Sequence, residues 1–159
     1  MDPKLISEVN EYVVNIFNHI LSIEERALAQ SQFSDLTVNE MHVIEAISLQ
    51  GASRSSDIAD KLKITMGTLS VSIQNLVKKG YVERRRGEPD RRIVQLHLTK
   101  KGRLLYRLHR KFHMLMIQDT LAGMNPDEVD AVIKGLRNLD GFLIGKAQEF
   151  EVSEEDLHE

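Results

Sequence analysis

The chain has no cysteine and no tryptophan, only three prolines, and no apolar run approaching 18 residues. Without cysteine there is no disulfide framework and no thiolate metal site, a usage that suits a reducing compartment. Without a long apolar run there is no helix to span a bilayer. The opening Met1-Asp2-Pro3-Lys4 leads into an amphipathic stretch with Glu8 and Glu11, not into a charged-then-apolar signal, so a cytoplasmic location is expected. There is no phosphate-cradling glycine loop, no cysteine nucleophile and no His-Glu-x-x-His. Ser55, Ser70 and Ser72 fall at caps or on helices and not on a strained turn. Neither an enzyme nor a bound cofactor is expected.

What is present is ordinary in bulk and uneven in place. With 159 residues, 42% hydrophobic and 28% charged, the chain can bury a core and is not a disordered polymer. Its net charge of −3 conceals a segregation: between Arg54 and Lys111 stand 16 lysines and arginines against 5 carboxylates, while the flanks hold 5 against 19. A cationic block between acidic flanks points to a polyanionic partner.

That block coincides with a recognisable order of elements. Residues 4 to about 30 carry Leu5, Val9, Tyr12, Val13, Ile16, Phe17, Ile20 and Leu21 at three- and four-residue spacing, which predicts a long amphipathic helix. Thr37 and Glu40 form a capping box for a helix that stops at Gln50-Gly51. Ser55 or Ser56 is expected to cap a short helix to Leu62, and Thr65 to cap another over Met66–Lys79, closed by Gly80. Tyr81–Arg84 and Ile93–Leu98 alternate as strands, with Gly87, Pro89 and Asp90 in the turn between them. Thr99 starts a helix to about Ala122, roughly 35 Å long. Asn125, Pro126 and Glu128 start the last one, ending near Lys146 before an acidic tail expected to fray.

The expected fold is mainly α with a small β-wing, in one domain over 1–159. A winged helix-turn-helix spans about 37–98, dimerisation helices span about 4–30 and 99–146, and the acidic tail is 147–159. The compact reading unit cannot cover three long amphipathic helices, so a second copy of the chain is their simplest partner. A twofold dimer would set two recognition helices about 34 Å apart on double-stranded DNA.

Within Met66–Lys79, Leu69, Ile73, Leu76 and Val77 form the core side. The opposite side holds Gly67, Thr68, Val71, Gln74, Asn75 and Lys78, with Ser70 and Ser72 at its margins. Gln74 and Asn75 can bond an adenine edge, and Val71 can pack on a thymine methyl; no arginine stands there to grip guanine, so an A/T-rich target is expected. Arg84, Arg86, Arg91 and Arg92 supply the wing, with Asp90 holding an arginine in place. Lys78, Lys79, Lys100 and Lys101 are phosphate-type contacts.

Asp90-Arg91-Arg92, followed by Leu96-His97-Leu98-Thr99-Lys100-Lys101-Gly102, resembles the MarR family of winged-helix regulators, over roughly residues 4 to 146. Within that family the segments 16–25, 39–44, 65–69, 78–81 and 97–113 look most like repressors of type II fatty-acid synthesis genes. The resemblance implies a homodimeric repressor on a palindromic A/T-rich operator, with long-chain acyl carrier protein as corepressor. Many members carry an arginine where this chain has Val71, so that base contact is not carried over.

For such a ligand, Leu21, Met41, Leu108, Phe112, Leu115 and Met116 could line an acyl-chain slot, though they are equally the stripes a dimer core needs. Arg103, Arg107, Arg110 and Lys111 offer a basic face to an acidic carrier protein, or could meet DNA or solvent. The alternative is a regulator sensing zinc or another small hydrophobic ligand. His109 and His113 stand four apart on one helix, a zinc-pair spacing, but no carboxylate lies in the neighbouring turns, and Arg107, Arg110 and Lys111 oppose a cation. No metal site is therefore expected.

Overall fold

The computed structural model describes residues 2–50, 54–86 and 94–155, with side chains through Lys146. Six helices and one two-stranded antiparallel sheet follow in the order α1 (Pro3–Ala29), α2 (Val38–Ile47), α3 (Ser55–Leu62), α4 (Met66–Lys78), β1 (Val82–Arg86), β2 (Val94–Leu98), α5 (Lys100–Leu121) and α6 (Pro126–Glu155). This is the mainly helical winged fold that the element order predicts.

The caps explain most boundaries. Asp2 accepts from the Lys4 amide, and Pro3 opens α1, where its missing N–H costs nothing. The Thr37–Glu40 capping box is formed in both directions: the Glu40 amide donates to Thr37 Oγ1 at 3.2 Å, and the Thr37 amide to Glu40 Oε2 at 2.9 Å. A second reciprocal box, Asn125 with Glu128, opens α6.

Several boundaries differ from expectation. The N-cap of α3 is Arg54, with no side-chain cap bond, in place of Ser55 or Ser56. α2 ends at Ile47, where Ser48 adopts φ 63 before Gln50 is reached; Ile47 is fully buried, so the core sets this end. β1 begins at Val82 and runs to Arg86, because the amide of Tyr81 is spent on Leu76 O at the end of α4. α6 continues through 147–155, where a frayed tail was expected. Gly51, the turn residues Gly87, Pro89 and Asp90, and Ile93 lie outside the described residues.

The backbone divides at Lys111 into two compact units. In the first, α2, α3 and α4 pack on one another, β1 packs on α4, β2 on α2, and α1 on α2. Ile44, Ile47, Ile58, Leu69, Leu76, Tyr81 and Leu96 are at most 1% exposed and form its centre. Each such side chain contributes about 1.5–3 kcal/mol on burial. Along α1, Leu5, Val9, Tyr12, Ile16, Phe17 and Leu21 remain exposed. The second unit, 112–159, holds the end of α5 and all of α6, joined through Gly123 at φ +83. No side chain of α6 through Lys146 is buried, and Leu136 and Phe142 are about 60% exposed.

Candidate nucleic-acid interface

The candidate reading surface comprises α4 and the wing, both in the first unit. Leu69, Ile73 and Leu76 anchor α4 in the core at 0–2% exposure, which turns the other face outward. Gly67, Thr68, Ser70, Val71, Gln74, Asn75 and Lys78 are exposed on that face, and Ser72 is half-buried at its margin. Val77 departs from expectation: it is 37% exposed and not part of the buried row. It follows Leu76 by one position, about 100° round the helix, where the core has already turned away.

The hydroxyls on this face are not equivalent. Thr68 Oγ1 lies 2.9 Å from Thr65 Oγ1, inside the N-cap, and Ser72 Oγ donates to Thr68 O at 3.3 Å. Both are occupied in holding the first turns of the helix. Gln74 and Asn75, by contrast, present amide groups that can both donate and accept on an open surface.

In the wing, Val82 pairs with Leu98, Arg84 with Leu96 and Arg86 with Val94. Period-two alternation puts Arg84 and Arg86 on the same side as buried Val82, and Glu83 with Arg85 on the other. Arg85 makes an ion pair with Glu83. Arg84 also lines a cleft of about 210 Å³ with Ser55, Met66, Ser70, Ile73, Val94 and Leu96, so wing and recognition helix form one surface. The sequence contains no signal for the part played here by Ser55, Met66 and Val94, which only the tertiary fold assembles. Arg91, Arg92 and Asp90 lie outside the described residues.

Two of the lysines expected to meet phosphate make ion pairs within the chain. Lys79 Nζ donates to both oxygens of Glu40, at 2.9 and 2.7 Å. Lys101 Nζ sits 4.0 Å from the centre of the Tyr81 ring and 3.5 Å from Asp35 Oδ2. The Tyr81 hydroxyl donates to Asp35 Oδ1 at 2.6 Å. That bond, with Lys101, holds the Asp35 carboxyl below its ordinary range. Burial first, then the same bond to Asp35, pushes the Tyr81 phenol well up.

On α5, Arg103, Arg107, Arg110 and Lys111 are all exposed. Arg103 Nη1 donates to Leu98 O and Arg110 Nη1 to the Tyr106 hydroxyl, while exposed Leu104 and Leu108 lie between the basic side chains. Of the candidate acyl-chain residues, Met41 is packed in the core, Leu21 and Leu108 are nearly half exposed, and Phe112, Leu115 and Met116 belong to the second unit.

A cluster the sequence hides surrounds His109, which is 7% exposed. Its Nε2 lies 3.3 Å from Glu45 Oε2 and 3.8 Å from Glu24 Oε1; His42 Nε2 lies 3.3 Å from Glu24 Oε2. The carboxylates absent from the turns around His109 arrive from α1 and α2. His113 lies in the second unit, its ring edge-on to Phe112.

The MarR-family sequence pattern matches residues 34–93. YfiV, an HTH-type transcriptional regulator of Bacillus subtilis (strain 168), is 32% identical over 110 residues, covering 69% of this chain and 68% of its own. The chain belongs to the MarR family. The crystal structure of Streptococcus pneumoniae FabT in complex with DNA is similar to it at 45% identity and a TM-score of 0.80, over 88% of this chain and 98% of FabT. Staphylococcus aureus MepR, also solved with DNA, shares the fold at 22% identity and a TM-score of 0.65, over 84% of this chain and 97% of its own. The protein is thus a MarR-family DNA-binding transcriptional regulator and not an enzyme. Among the described residues, no helix is long and apolar enough to cross a membrane.

Proposed function

We propose that the protein is a cytoplasmic homodimeric repressor of fatty-acid synthesis genes. It binds an A/T-rich palindrome and takes acyl carrier protein bearing a long acyl chain as corepressor. The observation that carries this reading is the 45% identity to FabT along 88% of the chain. The reading face supports the operator preference: Gln74, Asn75 and a 59% exposed Val71 suit adenine edges and thymine methyls. Arg84, Arg86, Arg91, Arg92 and Lys78 supply backbone affinity, and Asp90 orients the wing. The exposed apolar rows of α1 and α6 support a second copy as partner, which places two reading heads about one DNA turn apart. Arg103, Arg107, Arg110 and Lys111 form the carrier-docking stripe. Leu21 and Leu108 in the first unit, and Phe112, Leu115 and Met116 in the second, are the candidate chain contacts, while Met41, 4% exposed, is part of the core. The test is a gel shift on the promoter of a fatty-acid synthesis gene, with and without acylated carrier protein. A supershift to tighter binding is expected; indifference to the acylated form removes the corepressor.

One observation favours a second reading, in which zinc is sensed. Donor atoms in a tetrahedral zinc site with bonds of ~2.0 Å stand roughly 3.3 Å apart. Pairs of donors stand at that spacing: His109 Nε2 is 3.3 Å from Glu45 Oε2 and 3.8 Å from Glu24 Oε1, and His42 Nε2 is 3.3 Å from Glu24 Oε2. On this reading, equimolar zinc raises operator affinity, a chelator reverses the effect, and Glu24→Gln abolishes it. No response of the unaltered protein to zinc leaves these groups as polar packing.

A further inference from the structure

The joint between recognition helix and wing is three residues long, Lys79-Gly80-Tyr81, and is tied to α2, to Thr99 and to the α1–α2 loop. Lys79 is held through its ammonium by Glu40 of α2. Gly80 sits at φ +79, and its carbonyl accepts from Thr99 Oγ1 at 2.7 Å. Tyr81 O accepts from the Thr99 amide at 3.0 Å, while its hydroxyl reaches Asp35 in the α1–α2 loop. Lys101 covers the Tyr81 ring and approaches both Asp35 Oδ2 and Lys79 O at 3.5 Å. Gly102 comes so near that a Cβ there would lie 2.2 Å from Tyr81 O.

None of these groups belongs to the outward face of α4 or to the exposed arginines of β1. Yet Arg84 follows Tyr81 by three positions, in the strand that begins at the next residue, Val82, and Asn75 O accepts from the Lys79 amide. A rotation at Tyr81 would swing Arg84 and Arg86 relative to Gln74 and Asn75 without altering the recognition helix itself. The α1–α2 loop also meets this joint through Phe33, whose ring centre lies 6.3 Å from that of Tyr81, a contact that a phenylalanine at 81 would keep. Burial of the Tyr81 ring needs no hydroxyl, and an apolar ring would fill the same space. The hydroxyl, aimed at a carboxylate from a distant loop and backed by a cation, therefore adds direction more than cohesion.

We propose that Asp35 and Tyr81 are positioning residues for DNA binding, whose hydrogen bond sets the angle of the wing against the recognition helix. They act through Arg84 and Arg86 and touch no DNA.

The experiment compares Tyr81→Phe with the unaltered dimer on one operator, at several salt concentrations. The same substitution is also placed in an Arg84→Ala, Arg86→Ala background. Circular dichroism and thermal melting report the folded state, and amide exchange reports the wing strands. Tyr81→Phe is expected to stay folded, to lose about tenfold in operator affinity with a shallower salt slope, and to speed exchange at 83–86 and 94–98. In the background lacking the two arginines it should cost less than twofold, because the residue acts through them. Asp35→Asn keeps an acceptor for the hydroxyl and should retain more affinity than Asp35→Ala. Unchanged affinity in Tyr81→Phe overturns the proposal. An equal tenfold loss in both backgrounds also overturns it, since that is the mark of general destabilisation.

Discussion

Glu40 serves two elements with one carboxylate: it closes the capping box of α2 with Thr37, and it holds Lys79 at the end of α4, 2.7 Å from Oε2. The side chain of Glu40 is 6% exposed and that of Lys79 27%, so the pair lies at the edge of the core, where partial desolvation strengthens it. It couples the first and last helices of the helix-turn-helix.

Removing that carboxylate should cost more than a cap alone. Glu40→Ala is expected to lower stability by about 3 kcal/mol, the loss of a cap together with the stranding of a half-buried ammonium. Glu40→Gln keeps an acceptor for the Thr37 amide and should cost roughly half as much. Urea unfolding of the three proteins decides it; a loss within about 0.5 kcal/mol for Glu40→Ala means that solvent already satisfies Lys79.

Base reading and backbone binding separate by residue. Asn75→Ala should cost about 1–3 kcal/mol on the operator and little on random duplex, because an exposed amide gives up its bonds to an adenine edge. Paired titrations of both duplexes measure the difference. Equal losses on the two would place Asn75 outside base recognition.

The wing should behave oppositely. Arg84→Ala with Arg86→Ala is expected to weaken all duplexes alike and to reduce the salt slope by about one unit per lost phosphate contact. Arg91→Ala with Arg92→Ala is expected to do the same while the dimer stays intact. Arg85→Ala should change the slope far less, since Glu83 already neutralises that guanidinium. A larger slope change for Arg85 than for Arg84 would reverse the assignment of strand faces.

Tyr81 gives the stability a sign with pH. Its phenol ionises at 10.0 when unperturbed, and burial and Asp35 raise that in the folded chain. A raised acid contributes stability that is fully present below the unfolded value and is lost as pH rises toward the folded one. Stability should therefore fall above about pH 10, and the fall should be shallower in Tyr81→Phe, which has no proton to lose there. Urea midpoints on either side of pH 10 test this; parallel curves for the two proteins would remove Tyr81 as the source.

The parts legible in the sequence are those with local causes. Caps at Thr37, Thr65 and Asn125 come from side chains that bond their own first turn, and each is formed. The outward face of α4 follows from a 100° step and three buried residues, and it erred only at Val77, where the buried face ends. What was not legible depends on distant pairing. Lys79 and Lys101 look like free phosphate contacts until Glu40 and Asp35 are brought to them across 39 and 66 positions. Likewise, His109 stands among cations in sequence but beside Glu24 and Glu45 in space. Arg85 was legible in neither way: its strand neighbour Glu83, two positions away, faces the same side and takes the charge.

The most direct test is titration of the unaltered protein against an A/T-rich palindrome and a scrambled duplex over a range of salt, with stoichiometry read by sedimentation. The account predicts two chains per palindrome, a steep salt slope on both duplexes and a preference of at least about 10³ for the palindrome. A single chain per site, or equal affinity for both duplexes at every salt concentration, would contradict it.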